Sequence, residues 1–267
     1  MRPPITSRRA TTPRAALPFD RLDAIVFDMD GVVTETAGLH AQSWKRVFDD
    51  FLQLRSAITG EPFRPFELAD YLQFVDGKPR YDGAASFLAS REIFLPPGNR
   101  TDPPGHDSIS SIGNLKDHEF QREVAEFGVR PYASTLAFIT EVRAQGLKTA
   151  LITSSRHGRA VLQLAGITDF FDAIVDGVDA DRNHLAGKPD PSIYLAAVSL
   201  LSVAPGRAAV VEDALAGVEA GRNGHFAVVV GVNRGAGEAE LLDHGADLVV
   251  SDMSDFDLRA IGTGRRG

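Results

Sequence analysis

The sequence predicts an α/β protein, in which a doubly wound parallel β-sheet carries a smaller α-helical domain inserted after the first strand. From residue 131 onwards, short runs rich in Val, Ile and Leu alternate with helical segments, which is the pattern of βαβ units. These runs are unbroken, as expected for strands that are buried on both faces of a sheet. Residues 56–127 are instead polar, punctuated by Pro and Gly and poor in strand-like runs, which favours a helical insertion.

The predicted elements follow one another in a regular order. The first strand covers residues 22–27, and the helix after it has apolar residues at a period of about 3.6 over residues 39–52. After the insertion, five more strands are predicted at 148–152, 173–175, 208–211, 226–230 and 248–250. The helices predicted around them cover 132–145, 157–164, 191–201 and 214–222, and a last helix precedes the final strand.

Composition divides the chain into a tail and two predicted domains. Residues 1–19 contain four arginines, four prolines and no acidic residue, and such a segment cannot bury enough apolar surface to fold. We therefore expect a disordered basic tail over residues 1–19. The sheet domain is predicted to comprise residues 20–36 and 129–267, and the helical domain residues 37–128.

Charge and cysteine content exclude several functional classes. The 267 residues carry a formal net charge of -8, which disfavours a nucleic-acid partner, because such a partner calls for a basic surface. The absence of cysteine excludes disulfides, thiolate catalysis and cysteine-based zinc sites. No apolar run approaches the ~20 residues of a membrane-spanning helix, so no membrane partner is expected. We expect a cytoplasmic protein.

Polar residues follow four of the predicted strands or open the helices after them. In an open parallel sheet, ligands bind beyond the carboxyl ends of the strands, so these residues are expected to share one site. Carboxylates can hold a hard cation or act as nucleophile and general acid–base, and hydroxyls and a lysine near helix starts can bind phosphate. The residues are Asp28, Asp30, Thr153, Ser154, Ser155, Arg156, Lys188, Glu212 and Asp213.

Each of these motifs has an ordinary structural interpretation when it is considered alone. An aspartate, serine or threonine after a strand often caps a helix or forms a turn, and a single lysine is commonly a solvated surface charge. Four motifs of this kind at one edge of one sheet are not expected by chance. Together they predict a magnesium site beside a phosphate site.

Four motifs carry a resemblance to a known family, and they occur in a fixed order. They are Asp28-x-Asp30-Gly-Val-Val-Thr, Leu-Ile-Thr153-Ser, Gly-Lys188-Pro-Asp-Pro and Val-Glu212-Asp213. Their order resembles the haloacid dehalogenase superfamily of phosphotransferases, which has a Rossmann-like core, and the likeness covers nearly the whole chain after the tail. The helical insertion directly after the first motif resembles the small α-helical cap domain of that superfamily.

The resemblance implies a role for each motif. Asp28 would attack phosphorus and form a phospho-aspartate, while Asp30 would give a proton to the leaving oxygen and later take one from the acceptor. Thr153 and Lys188 would bind the oxygens of the transferring phosphoryl group. The implied ligands of Mg²⁺ are Asp28, the carbonyl of Asp30, Glu212 and Asp213.

Residues of the insertion resemble the β-phosphoglucomutase-like subfamily. Thr36, His40 and Trp44 recur at four-residue steps along one stripe of a helix, for which amphipathic packing is the alternative interpretation. The resemblance implies that Thr36 and His40 assist catalysis and that Trp44 lies beside the substrate. Arg80 is similar to the cap arginine that binds the phosphate not being transferred, and its alternative is a solvated surface charge. Arg122 falls where the subfamily has a cap lysine.

A second group of matches includes departures from the subfamily. Ser155, Arg156 and His157 fall where the subfamily has Ser, Lys and Asn at a distal phosphate. Arginine thus replaces lysine at both 122 and 156, and although arginine binds phosphate, its geometry differs from that of lysine. The segment between residues 44 and 80 is also longer than in the subfamily, so the exact sugar stays open.

The resemblance implies a phosphosugar mutase that converts β-D-glucose 1-phosphate to glucose 6-phosphate through a phospho-aspartate enzyme and a bisphosphate. Mg²⁺ would be the cofactor, and glucose 1,6-bisphosphate the activator. A sugar-phosphate phosphatase on the same scaffold is the alternative, and a catalytically silent binding domain is a third hypothesis. The expected partner is a small-molecule sugar phosphate, and we expect a monomer because a moving cap needs no second subunit.

Overall fold

A single parallel sheet forms the centre of the larger domain. The computed structural model describes residues 15–257, and its six strands lie in the order β3-β2-β1-β4-β5-β6 with all neighbours parallel. This arrangement confirms the predicted α/β fold. The strands are β1 Ala24–Asp28, β2 Lys148–Ile152, β3 Ala173–Val175, β4 Ala208–Glu212, β5 Val228–Val232 and β6 Leu248–Val250.

Each face of the sheet is covered by its own hydrophobic cluster, because successive strand residues point to opposite faces. Phe27, Leu151 and Val211 belong to the cluster on one face, whereas Val26 and Val210 belong to the cluster on the other. Every residue of β1 and of β4 is buried. Burial on both faces explains why these strands are unbroken apolar runs in the sequence.

Four helices that follow β1 form an insertion with its own hydrophobic core. Phe48, Phe66 and Phe87 pack at ring-centroid distances of 4.3, 4.7 and 5.0 Å, within a buried cluster that is separate from both clusters of the sheet. A π-helical turn, Tyr71–Val75, continues directly from α2. The helices of the insertion are α1 Ala37–Thr59, α2 Leu68–Asp70, α3 Arg80–Ser90 and α4 Ile109–Phe127.

Six further helices connect the strands of the sheet. The short α7 is absent from the sequence prediction, because its six residues contain few apolar side chains and so show no helical periodicity. Asp176 caps its start. Within residues 15–257, no helix combines the length and the apolar character that crossing a membrane requires. The helices are α5 Ala133–Ala144, α6 Gly158–Ala165, α7 Gly177–Arg182, α8 Ser192–Leu201, α9 Leu215–Asn223 and α10 Glu238–Asp243.

The boundary of the predicted tail requires a correction. Residues 1–14, which make up most of the predicted tail, lie outside the described residues. Residues 15–19, by contrast, belong to the fold. The N–H of Ala15 donates to the carbonyl of Asp255 at 3.0 Å, and Leu17 and Phe19 are buried in a cluster of the sheet. The prediction was wrong here because the neighbouring arginines and prolines outweighed two apolar side chains.

Candidate active site

The carboxyl edge of the sheet brings the sequence motifs together. Asp28 is the last residue of β1 and is in register with Ile152, the residue before Thr153. Glu212 ends β4, which pairs with β1 on its other side. Because these adjacent strands are parallel, the residues that follow them share one edge. Lys188 reaches the same edge from the loop before α8.

A buried lysine joins the first motif to the last. Nζ of Lys188 lies 2.7 Å from Oδ1 of Asp28 and also donates to Oε1 of Glu212. The side chains of Lys188, Asp28 and Glu212 are 1%, 8% and 0% exposed. One ammonium therefore stabilises two carboxylates, and its removal would leave both charges uncompensated in a medium of low dielectric constant.

Hydrogen bonds occupy both carboxylate oxygens of Glu212. Oε1 accepts from Lys188 and from the hydroxyl of Tyr194 at 2.6 Å. Oε2 accepts from the backbone N–H groups of Asp213 and Ala214 at 2.8 and 2.9 Å. Since a carboxylate has about four acceptor positions, Glu212 in this arrangement holds Lys188 and the turn that follows β4.

Asp28, Glu212 and Asp213 form an acidic cluster, in which one carboxylate oxygen from each lies within 4.8 Å of the others. Asp213 is 5% exposed, and no hydrogen bond or ion pair within residues 15–257 reaches its carboxylate. Gly31 has φ +83°, and a Cβ there would lie 1.8 Å from Oδ2 of Asp213, so only glycine leaves room for this carboxylate. A buried, unpartnered oxygen donor beside two other carboxylates suits a small hard cation such as Mg²⁺.

The carboxylate of Asp30 contacts partners outside the acidic cluster. Oγ1 of Thr36 donates to its Oδ1, and Oγ1 of Thr153 donates to its Oδ2 at 3.1 Å. Nε2 of His40 lies 3.3 Å from Oδ1. The side chain of Asp30 is therefore placed for proton transfer, and the described contacts of its carboxylate include no group of the acidic cluster.

The insertion supplies a lysine that the sequence analysis did not select. Lys116 on α4 is buried, with its Nζ 2.5 Å from Nδ1 of His40 and 4.8 Å from the ring centroid of Phe120. Arg122, for which this position was predicted, is half exposed and pairs with Glu119 at 2.5 Å. The structure does not bring Arg122 into the pocket, because a residue two positions after Phe120 is rotated by roughly 200° around the helix and faces solvent.

Two arginines predicted to bind a second phosphate also line the site, and each is paired with an aspartate. Nη1 of Arg80 lies 2.5 Å from Oδ1 of Asp117, which lies 2.9 Å from Nε2 of His157. Arg156 pairs with Asp181. Asp117 belongs to α4, whereas His157 precedes α6, so this contact joins the insertion to the sheet domain.

One pocket between the insertion and the sheet edge connects these groups. Trp44 lines it and stacks on Phe48 at a centroid distance of 4.9 Å. Oγ of Ser154 donates to the carbonyl of Gly77 at 2.8 Å, which is a second contact between the two parts of the molecule. Other residues that line the pocket are Asp28, Asp30, His40, Tyr71, Asp76, Arg80, Lys116, Asp117, Phe120, Ser155, Arg156, Lys188 and Asp213.

Burial and neighbouring charges shift the proton affinities of the site. Burial raises the pKa of Asp28, and the ammonium of Lys188 opposes this shift. Burial alone would also raise the pKa of Asp30, but the charge and hydrogen bond of His40 lower it to about 2. Burial and then Lys116 lower the pKa of His40, while burial lowers the pKa of Lys116 to about 7. Near neutral pH, Lys116 therefore exchanges its proton beside His40, whereas the carboxyl group of Asp30 is ionised.

A family comparison agrees with this geometry. Residues 22–225 match the family model described as haloacid dehalogenase-like hydrolase. The chain belongs to the haloacid dehalogenase-like family. It is an enzyme of the β-phosphoglucomutase-like branch of that family, as its relatives within the family indicate.

Two curated relatives and one solved structure illustrate the place of the chain in the haloacid dehalogenase-like family. β-Phosphoglucomutase from Mycobacterium tuberculosis is 44% identical over 241 residues, which are 89% of this chain and 92% of that protein. β-Phosphoglucomutase from Bacillus subtilis is 30% identical over 242 residues, or 90% and 94% of the two chains. A haloacid dehalogenase family hydrolase from Deinococcus radiodurans, crystallised with phosphate and sodium, is 26% identical with a TM-score of 0.60, covering 88% and 93%.

Sequence reasoning missed several polar residues of this haloacid dehalogenase-like site, among them Lys116, Tyr194 and Asp76. Lys116 has a detectable signal, because it precedes Phe120 by one helical turn and both therefore share a face. Tyr194 has no such signal, since a tyrosine within an apolar helix is typical of the hydrophobic core. Asp76 directly precedes Gly77, and an Asp-Gly pair is also typical of an ordinary turn, so the sequence did not identify Asp76 as a site residue.

Proposed function

We propose that the chain is a magnesium-dependent phosphosugar mutase that converts β-D-glucose 1-phosphate to glucose 6-phosphate. The observation that carries this proposal is one pocket that contains both the buried Asp28–Lys188 pair and the arginines Arg80 and Arg156. A mutase needs cationic groups at two places, because its bisphosphate intermediate carries two phosphates. The 44% identity to a β-phosphoglucomutase supports this choice of substrate.

Asp28 is the proposed nucleophile. One of its carboxylate oxygens attacks phosphorus, and a bond from phosphorus to Asp28 forms as the bond to the sugar oxygen breaks. Lys188, 2.7 Å away, offsets the charge of the carboxylate and so lowers its repulsion of the incoming phosphate. Lys188 and Thr153 would also orient the phosphoryl oxygens. Mg²⁺ held by Asp28, Asp213 and the carbonyl of Asp30 would add neutralising charge at the phosphoryl group.

Glu212 has a supporting role in this proposal. Its carboxylate fixes the ammonium of Lys188 and the turn that carries Asp213, and both of its oxygens already accept hydrogen bonds. We propose that it shapes the cation site through these contacts.

Asp30 is the proposed general acid and base. It protonates the leaving sugar oxygen in the first transfer and takes the proton of the attacking hydroxyl in the return transfer. A sugar phosphate near Lys116 favours the charged ammonium, which in turn favours a neutral His40. Without the positive imidazole, the pKa of Asp30 rises, so substrate binding prepares Asp30 to hold the proton that it must donate.

The insertion, over residues 37–128, is the proposed cap. Its contacts with the sheet domain, Asp117 with His157 and Gly77 with Ser154, close the pocket over Asp28. A closed pocket excludes water, so that the phosphoryl group passes to a sugar hydroxyl and is not hydrolysed. Arg80, Arg156 and Ser155 would bind the second phosphate, with Trp44 beside the sugar.

The proposal extends to activation and assembly. Glucose 1,6-bisphosphate would load Asp28 with its first phosphate. We propose a monomer, because the insertion of the same chain completes the pocket. We also propose a cytoplasmic location.

Trapping the phosphoenzyme tests the proposed chemistry. Incubation with glucose 1,6-bisphosphate and Mg²⁺, followed by peptide mass spectrometry, is expected to detect one phosphoryl group on the peptide that contains Asp28. The modification should be removed by hydroxylamine and be absent from Asp28→Asn. Phosphate on another residue, or the same yield in Asp28→Asn, would contradict the proposal.

A further inference from the structure

The insertion places a carboxylate of its own beside the acidic cluster. Asp76 follows the π-helical turn Tyr71–Val75 and lines the same pocket as Asp28 and Asp213. Its carboxyl group is hydrogen-bonded to the hydroxyl of Tyr71. None of the catalytic roles proposed above uses Asp76.

Close backbone packing fixes the position of Asp76 relative to the cluster. At Gly77, a Cβ would lie 2.9 Å from Cβ of Ala214 and 3.7 Å from Cδ of Lys188, and φ is +74°. The carbonyl of Gly77 accepts the hydrogen bond from Ser154 at 2.8 Å. In this closed arrangement, the residue after Asp76 therefore packs directly against the residue after Asp213, and both aspartates lie at one contact between the insertion and the sheet domain.

The charges at this contact do not balance. Asp28, Glu212 and Asp213 come from the sheet domain and Asp76 from the insertion, while Lys188 is the basic group that acts on them. After burial, the charge of Asp76 is the largest cause that raises the pKa of Asp213. Closure alone thus brings like charges together where solvent screening is weak, and a divalent cation among them would turn this repulsion into attraction.

We propose that Asp76 couples closure of the insertion to the binding of a divalent cation. A cation in the acidic cluster favours the closed arrangement, and the closed arrangement binds the cation more tightly, because such coupling is reciprocal. The inference deepens the proposed function and rests on it in one respect, namely that the acidic cluster is a cation site. It needs no assumption about the sugar.

The test uses the full chain with MgCl₂ or EDTA and no sugar phosphate. Since the chain has no cysteine, Gln53→Cys on α1 and Gln163→Cys on α6, both exposed, can be labelled with a fluorophore pair. Energy transfer between the labels reports closure, and isothermal titration calorimetry on the unlabelled protein reports Mg²⁺ affinity. The two readouts are independent of turnover.

Asp76→Asn is the decisive variant, because it removes the charge and keeps the shape. Relative to the parent chain, we expect it to be more closed in EDTA, to change less on addition of Mg²⁺, and to bind Mg²⁺ on the order of 10-fold more weakly. Tyr71→Phe keeps the charge of Asp76 and removes its hydrogen bond, and Glu126→Gln removes an exposed charge from the same insertion. Both should respond to Mg²⁺ as the parent chain does.

Several outcomes would overturn the inference. Unchanged Mg²⁺ affinity and closure in Asp76→Asn would do so, as would a Tyr71→Phe variant that reproduces the effect, since the hydrogen bond and not the charge would then be responsible. Should Asp76→Asn lose its native circular dichroism spectrum, Asp76→Ala carries the same expectation. A chain that shows the coupling but makes no glucose 6-phosphate would refute only the substrate, whereas an active mutase with closure insensitive to Mg²⁺ would refute only the coupling.

Discussion

Lys116 and His40 are in direct contact, with Nζ of the lysine 2.5 Å from Nδ1 of the imidazole. Both residues belong to the helical insertion, and the other ring nitrogen of His40 lies 3.3 Å from Asp30 at the sheet edge. The series of contacts from Lys116 through His40 to Asp30 therefore forms only when the insertion lies over the sheet. This relationship ties the position of the insertion to the protonation of the proposed general acid.

Replacement of Lys116 by methionine is expected to stabilise the protein in a pH-dependent way. Burial lowers the pKa of Lys116 from 10.5 to about 7, so the fold bears the cost of the buried charge fully below pH 7. Between pH 7 and 10.5 only the unfolded chain keeps this proton, so the cost declines as the pH rises. Lys116→Met should raise the free energy of unfolding by on the order of 2 kcal/mol at pH 6 and by much less at pH 10.

Urea denaturation of parent and variant at both pH values measures this difference. Lys45→Met removes a lysine whose side chain is half exposed, and it serves as the control for loss of a surface charge. An equal effect of Lys116→Met at both pH values would contradict a buried, proton-exchanging lysine at this position.

Arg80 and Arg122 are expected to differ sharply in their effect on turnover. Arg80 lines the pocket, whereas Arg122 is half exposed and pairs with Glu119. Arg80→Ala should lower kcat/KM for the sugar phosphate about 100-fold, because a charge-assisted contact to phosphate is lost. Arg122→Ala should remain within about twofold of the parent chain. Steady-state kinetics decide, and equal losses in the two variants would place Arg122 in the site after all.

Removal of the charge of Lys188 is expected to destabilise the fold. Lys188→Met leaves Asp28 and Glu212 as buried carboxylates without their shared cation, at a cost of about 3 kcal/mol. Mg²⁺ should recover part of this loss by neutralising the cluster, and thermal unfolding with MgCl₂ or EDTA measures the recovery. A variant as stable as the parent chain would show that the pair contributes nothing to folding.

Asp213→Asn is expected to stabilise the protein in EDTA and to remove its response to Mg²⁺. Burial raises the pKa of Asp213, so its charged form opposes folding, and this cost is present at neutral pH and disappears as the pH falls below about 4. The variant should therefore unfold several degrees higher than the parent in EDTA at pH 7. Differential scanning calorimetry tests the expectation, which fails if MgCl₂ stabilises the parent and the variant equally.

Much of the fold could be predicted because the strands of this sheet are buried on both faces. The bounds of β2, β3 and β6 agree with the sequence prediction, whereas β1 and β5 begin two residues later than predicted. Leu22 and Phe226 precede those two strands and are themselves buried, so their apolar character could not separate loop from strand. Apolar side chains indicate burial, but the sequence contains no separate signal for the backbone hydrogen bonds that define a strand.

The residues that the sheet edge contributes to the candidate site were more predictable than those that the insertion contributes. Motifs after parallel strands meet because the strands end at one edge, so sequence order alone brings Asp28 and Glu212 together. The residues of the insertion depend on how each helix is rotated, and that rotation is set by packing around residues such as Phe48 and Phe120. A rotation of α4 decides that Lys116 and not Arg122 reaches the pocket, and periodicity alone did not fix it.

The fate of β-D-glucose 1-phosphate tests the proposed mutase most directly. The enzyme is incubated with this substrate, Mg²⁺ and a trace of glucose 1,6-bisphosphate, while glucose 6-phosphate and inorganic phosphate are followed together. We predict that glucose 6-phosphate accumulates in proportion to the substrate consumed, with little inorganic phosphate. Release of inorganic phosphate in place of glucose 6-phosphate would contradict the mutase and identify a sugar-phosphate phosphatase.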